Sequence, residues 1–356
     1  MQAVSVSALR RATERPADPT RRAATALVLV TGALLGSGAL AQEVRERTDV
    51  QWIQAVRQAA QRVNYQGTVV YQAGGAMRSS RITHYFDGTS SHERIQTLDG
   101  KPREYIRRRS DSNDEVQCLI PETRRIVVEQ RKAEESFPGL SSASPEQILE
   151  RYTLKIGDVE RVAGIDCQML TLEPKDAARY GYRLWVDRSS GLLLRAQTLN
   201  EKSEVIEQIA FSDVRIGERI DRSKLRPSWS TEGWTVERSE HRKADLSEHG
   251  WLVPTPAGFR KTREVARRIG GTEAMQAVFS DGLATMSVFI EPNSLLSAPG
   301  ASAMPGPVPS TEALQMHGPT SAYSRRVGDS LVTVVGEVPP ATVRALAGSV
   351  EFRGTR

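Results

Sequence analysis

From residue 67 to residue 211 the chain repeats one pattern: short runs of alternating apolar and polar residues, cut by Asp-Gly and Gly-Gly pairs. The run 67–72 ends at Ala73-Gly74-Gly75, 81–86 ends at Asp87-Gly88, and 92–98 ends at Asp99-Gly100. Such pairs mark hairpins, because glycine supplies the left-handed backbone of a tight turn. The runs continue at 104–107, 115–120, 125–129, 152–156, 165–172, 182–186, 192–199 and 205–211. Ten or eleven strands joined in order specify a large antiparallel sheet, and a sheet of that size tends to curl or split. Only two helices accompany it. Thr48 and Gln51 form a capping box ahead of Ile53, Val56, Ala60 and Val63 at helical spacing. Ser144 caps a shorter helix with Pro145 at its first position and Ile148-Leu149 as its apolar contact. The expectation is an α+β fold in which a large curved antiparallel sheet wraps round these helices.

The apolar pattern fades after Val214. The segment 217–248 is rich in charge and reads as a linker, although Trp229 and Trp234 imply that part of it packs on a domain. A smaller α+β domain is expected over 249–356, with the large domain over 42–216. The smaller domain contains a Pro-, Gly- and Ser-rich tract at 297–310, a strand at 330–336 and a closing helix at 341–350.

The first 41 residues carry five arginines ahead of an apolar run that closes on Ala39-Leu40-Ala41. This is the layout of a secretory signal peptide cut after Ala41, so the expected compartment is the periplasm. The run is short and glycine-rich for a membrane span. Five arginines against Glu14 and Asp18 give the leader +3 of the chain's +5. The remaining 315 residues are therefore nearly balanced, which argues against nucleic acid as a partner. Cys118 and Cys167, the only cysteines, admit two readings in an oxidising compartment: a disulfide, or two separately buried thiols.

Catalytic patterns are missing. The five histidines, His84, His92, His241, His249 and His317, form no zinc-hydrolase spacing, and there is no G-x-S-x-G, P-loop or dinucleotide fingerprint. No catalytic residue, metal or cofactor is expected. The basic clusters Arg107-Arg108-Arg109, Arg124-Arg125, Arg131-Lys132 and Arg325-Arg326 suit either phosphate groups and acidic partners or ordinary solvated turns. Val69, Tyr71, Tyr182, Leu184, Trp185 and Leu194 suit either the core under the helices or the wall of an acyl-chain trough. In "FSDGLATMSVFIE" (279–291), Ala284, Met286, Val288 and Ile290 share one face of a hairpin strand. Leu283 and Phe289 lie on the other, which suits contact with a partner or with the other domain, and with Arg325 and Arg326 they are candidates for a partner surface.

These segments resemble the RseB/MucB family of periplasmic negative regulators of the extracytoplasmic stress sigma factor. The resemblance runs through "NYQGTVVY" (64–71), "RITHYFDG" (81–88), "RYGYRLWVDRSSGLLLRAQTL" (179–199), "PAGF" (256–259), "FSDGLATMSVFIE" and "VTVVGEVPP" (332–340). It implies a lipoprotein-carrier-like half-barrel plus a smaller C-terminal domain. It further implies binding to the periplasmic segment of an RseA/MucA-like anti-sigma factor, protection of that segment from proteolysis, and release by lipid-like or lipopolysaccharide ligands. Two other classes stay open: a periplasmic lipid or lipoprotein carrier without a regulatory partner, and an envelope hydrolase using His84 or His92. A homodimer suits a regulator released as a unit, but no residue pattern decides it.

Overall fold

The turn pairs form the hairpins they predict. The computed structural model describes residues 47–130, 143–238, 241–269, 272–292 and 312–354. The expected leader 1–41, the 297–310 tract and Arg131-Lys132 lie outside the described residues. Residues 47–356 cluster as one compact unit.

Helix α1 (Asp49–Arg62) begins with the capping box: Gln51 N donates to Thr48 Oγ1 at 3.3 Å and Thr48 N donates to Gln51 Oε1 at 2.9 Å. Trp52, Ile53, Val56 and Ala59 form its buried stripe. Ala59 takes the place expected for Ala60, because the helix stops at Arg62 and Val63 turns to extended backbone. Eleven strands carry the alternating runs: β1 (Tyr65–Ala73), β2 (Ala76–Phe86), β3 (Ser91–Thr97), β4 (Glu104–Arg109), β5 (Asp114–Ile120), β6 (Arg125–Gln130), β7 (Tyr152–Val162), β8 (Ile165–Pro174), β9 (Gly181–Asp187), β10 (Leu193–Leu199) and β11 (Val205–Ile216). Helix α2 (Pro145–Arg151), capped by Ser144 with Gln147 completing the box, leads directly into β7.

These strands form one large open sheet in the order β12-β6-β5-β4-β3-β2-β1-β11-β10-β9-β8-β7, where β12 is Thr235–Arg238. The pairing of β1 with β11 brings the first and last of the eleven strands together in mid-sheet. That pairing leaves no room for a side chain at Gly67, whose Cβ would lie 2.3 Å from the Asp213 carbonyl oxygen. The segment after β11 carries structure of its own. It crosses β2 and β3, adds β12 as a parallel strand beside β6, and then supplies β13 (His241–Lys243) to a second sheet. Trp229 and Trp234 stack on each other within it, ring centroids 6.3 Å apart.

The second sheet runs β13-β15-β16-β17-β20-β19-β18, with β15 (Arg260–Ile269), β16 (Thr272–Ser280), β17 (Thr285–Pro292), β18 (Ala313–His317), β19 (Thr320–Val327) and β20 (Ser330–Gly336). Between β13 and β15 lies the short β14 (Trp251–Leu252), which pairs with the last strand β21 (Glu351–Phe352). Ala284, Met286, Val288 and Ile290 are buried in this domain's core together with residues of α3 (Pro340–Ser349). Arg325 closes that helix: its Nε donates to Ala347 O and its Nη2 to Val350 O, both at 2.7 Å, placing a cation where the helix dipole is negative.

Of the two readings of the cysteines, the structure has the separate thiols. Cys118 and Cys167 are free thiols, the first half-buried and the second buried. They lie on β5 and β8, eight strand positions apart, whereas a disulfide needs Cα atoms within about 7 Å. Burial pushes both thiols up, Cys167 to about 12.

Candidate functional site

The turn of the β16–β17 hairpin joins the two sheets. Asp281 opens this turn, and its Oδ1 accepts the backbone N–H groups of Leu283 at 2.8 Å and Ala284 at 2.7 Å. Its Oδ2 faces the first sheet, where it accepts Tyr152 OH at 2.9 Å and Arg179 Nη1 at 2.5 Å. Both charged side chains are 0% exposed. Arg179 comes from the loop between β8 and β9, and Asp176 in the same loop accepts its Nε at 2.9 Å and Nη2 at 3.1 Å. The guanidinium also lies over the Phe259 ring, 4.9 Å from its centroid. Gly258 makes this approach possible: its φ is +78°, and a Cβ there would come within 2.5 Å of Arg179 Nη2.

Around this polar centre the contact is apolar. Leu283 packs against the cluster of Trp52, Ile148, Leu170 and Leu172 in the first sheet's core. Thr342, at the start of α3, donates from Oγ1 to Ala178 O at 3.0 Å. Of the two readings of its face, a partner or the other domain, Leu283 takes the second and packs on the other sheet. Phe289 is half-buried on the outer face of β17, Arg325 caps α3, and Arg326 is exposed.

The trough candidates divide between two packed clusters. Tyr182 and Leu184 join the cluster under α1 and α2, while Val69, Trp185 and Leu194 join a second with Tyr65 and Phe211. Tyr71 is half-buried beside them. Among the described residues, one cavity of about 600 Å³ lies on the polar strand surface over β1–β3 and β11, and one of about 520 Å³ lies beside Gly74 and Gly318.

A buried polar row crosses β1 to β4, with Tyr65 opposite His84, His84 opposite Glu93 and Glu93 opposite Arg107. The His84 and Tyr65 rings stack 4.9 Å apart. His84 Nδ1 meets Val63 O at 2.8 Å, and a carbonyl only accepts, so Nδ1 carries the proton. Burial, aided by Arg107 and Arg109, pushes His84 down to about 4, and burial pushes Glu93 up to about 7. Arg107 donates to Asp114 at 2.7 and 2.5 Å. His92 neighbours Glu93 in β3 and so points to the opposite face from His84, which separates the two histidines a hydrolase would have used. Among the described residues no group of His, Cys, Asp and Glu could hold a metal.

Sequence reasoning missed Tyr152, Arg179, Gly258 and Asp281 as a unit. "DG" signalled a turn and nothing said what the turn touches. Yet "RYGYRLW", "PAGF" and "FSDGLATM", all among the segments that carry the family resemblance, meet at this junction.

Comparison with known proteins covers most of both sheets. The MucB/RseB N-terminal domain family matches residues 48–229 and the MucB/RseB C-terminal domain family matches 245–351. The sigma factor AlgU regulatory protein MucB of Pseudomonas aeruginosa is 30% identical over 333 residues, covering 92% of this chain and 96% of that protein. The sigma-E factor regulatory protein RseB of Haemophilus influenzae is 26% identical, covering 90% and 95%. A crystal structure of MucB in complex with MucA(peri) aligns with TM-score 0.66 at 27% identity, over 86% of this chain and all of that one. MucB alone aligns with TM-score 0.59 at 27% identity, over 85% and 96%. The chain belongs to the MucB/RseB family.

Two outcomes are expected. Asp281→Asn should cost about 3–5 kcal/mol in urea unfolding, because it leaves the Arg179 charge buried without its partner. The Arg179→Met/Asp281→Asn pair should cost clearly less than the sum of the single changes, and strict additivity would show that the two groups act independently. The second outcome concerns pH. His84 binds its proton near 6.5 when unfolded and near 4 when folded, so its contribution to stability is lost as pH falls through that window. Glu93 holds its proton up to about 7 in the folded chain against 4.5 unfolded, so its contribution falls as pH rises. Between 4.5 and 6.5 the two slopes oppose. Glu93→Gln should therefore lose stability on acidification across that window faster than wild type, by about 1.4 kcal/mol per pH unit. Parallel pH profiles would contradict these assignments.

Proposed function

We propose that this chain is an exported regulator that binds the periplasmic segment of a MucA/RseA-like anti-sigma factor, shields it from proteolysis, and loosens its grip when a lipid-like or lipopolysaccharide ligand binds. The observation that carries the reading is the alignment of both sheets, in one superposition, with MucB in complex with MucA(peri). The curated relatives bear regulatory names, not enzymatic ones. In this reading residues 42–216 and 249–356 are the two domains and 217–248 connects them. No helix among the described residues is long and apolar enough to cross a membrane, which suits a chain acting beside a membrane-anchored partner.

The regulatory step is a linkage between two ligands. A lipid that favours the arrangement of the sheets with lower partner affinity weakens partner binding, and the partner weakens lipid binding by the same factor. The junction supports such a device, because the Arg179–Asp281 ion pair, the hydrogen bonds of Tyr152 and Thr342 and the inserted Leu283 hold the sheets in register.

Calorimetric titration of residues 42–356 with the periplasmic segment of the same organism's anti-sigma factor tests this. Saturable binding is expected, weakened about fivefold or more by a lipopolysaccharide fragment. A chain that takes up the fragment and ignores the segment would instead be a lipid carrier.

A further inference from the structure

The cavity of about 600 Å³ lies on the outer face of β1, β2 and β3 and reaches over β11. Arg81, Arg94, Arg215 and Lys224 line it against one carboxylate, Asp213. Arg94 is 8% exposed, and its terminal nitrogens are committed: Nη2 donates to Glu104 Oε1 at 2.6 Å and to Ser228 Oγ, and Nη1 donates to Lys224 O at 2.9 Å. Its Nε–H is buried and has no hydrogen-bond partner among the described residues. A guanidinium held this firmly, with one donor unspent, is pre-organised for an acceptor that brings negative charge. The other cations are weakly matched. Lys224 Nζ donates to the neutral Gln66 Oε1 at 2.8 Å, and among the described residues Arg215 meets Glu218 at 4.0 Å.

We propose that this groove binds the phosphate group of a phosphorylated ligand. With Arg94 paired to Glu104, the cations Arg81, Arg215 and Lys224 still exceed what the one lining carboxylate, Asp213, needs, and the surplus suits a tetrahedral oxyanion of higher charge, with arginine forks reading its oxygens. The groove also borders the segment that connects the sheets, since Lys224 and Ser228 are the residues Arg94 holds down. An anion seated there bears on the connector between the two domains. This consequence deepens the lipid-responsive reading and rests on it, whereas the binding itself does not.

The test uses residues 42–356 and two probes. Sodium pyrophosphate, titrated calorimetrically, reports free phosphate chemistry. Vesicles of phosphatidylcholine with and without phosphatidic acid, assayed by co-sedimentation, report a lipid headgroup. Wild type is expected to bind at least one of the phosphate probes. The Arg81→Gln/Arg215→Gln variant, altered only at exposed positions, should bind that probe about tenfold or more weakly. Arg94→Lys, which keeps the charge and removes the Nε–H, should also weaken it. Binding of pyrophosphate places the recognition in the phosphate alone, and binding of the vesicles alone places it in a lipid headgroup. The proposal is overturned if wild type binds neither probe, or if wild type and the double variant bind alike. Affinity for the anti-sigma segment is measured on the same samples without probe. A chain that binds the segment and neither probe loses the groove and keeps the regulatory reading. A chain that binds a probe and not the segment does the reverse.

Discussion

Burying the Asp281 carboxylate between two sheets is tolerable only because four donors reach it at once: the hydroxyl of Tyr152, a guanidinium nitrogen of Arg179, and the N–H groups of Leu283 and Ala284. An ionised carboxylate taken out of water without such partners would neutralise or refuse burial. Two of the donors belong to the hairpin itself and two to the first sheet. The carboxylate therefore shapes the turn and docks it in the same step. Leu283, pushed forward by that turn, supplies the apolar part of the contact. The hairpin has no reactive group because its work is mechanical. It presents one charge and one leucine at a fixed spacing to the neighbouring domain.

The connecting segment follows the same logic with weaker means. A twelve-stranded sheet has two edges, and an open edge invites pairing with another chain. Strand β12 occupies one of them, pairing parallel to β6, with Thr235 N on Arg124 O at 2.9 Å and an Arg125–Glu237 ion pair. Upstream, Arg94, Gln96 and Glu104 hold Ser228 to the sheet's outer face. Burial opposes ionisation of Glu104, yet hydrogen bonds from Arg94 and Ser228 keep its carboxyl below the usual range. The path from one domain to the other is thus laid along the sheet surface and leaves it only near residue 238.

Local signals survived folding and long-range ones did not exist to be read. Asp-Gly and Gly-Gly pairs, the capping boxes at Thr48 and Ser144, and strand alternation each depend on neighbours within a few residues, so they gave strands and helices close to those found. The phase of α1 slipped by one residue where Val63 left the helix. Arg179 in a polar loop and Asp281 in a turn carry no mark of their burial, because each is buried only by the other's domain. Whether Cys118 and Cys167 pair stayed open in the sequence for the same reason: separation in the sheet is set by strand order, which hairpin counting could not extend across the β1–β11 closure. The apolar residues offered as core or trough wall lie in strands, with the neighbours Leu184 and Trp185 on opposite faces. Which packed cluster each of them joins is a fact of tertiary packing that alternation leaves open.

If the junction binds the two sheets into one body, they must also unfold as one. Differential scanning calorimetry of residues 42–356 reads this directly. A single transition whose calorimetric and van't Hoff enthalpies agree is the predicted result. Two separate transitions, one for each sheet, would mean that Arg179 and Asp281 touch without coupling the domains, and the account of the junction would fail.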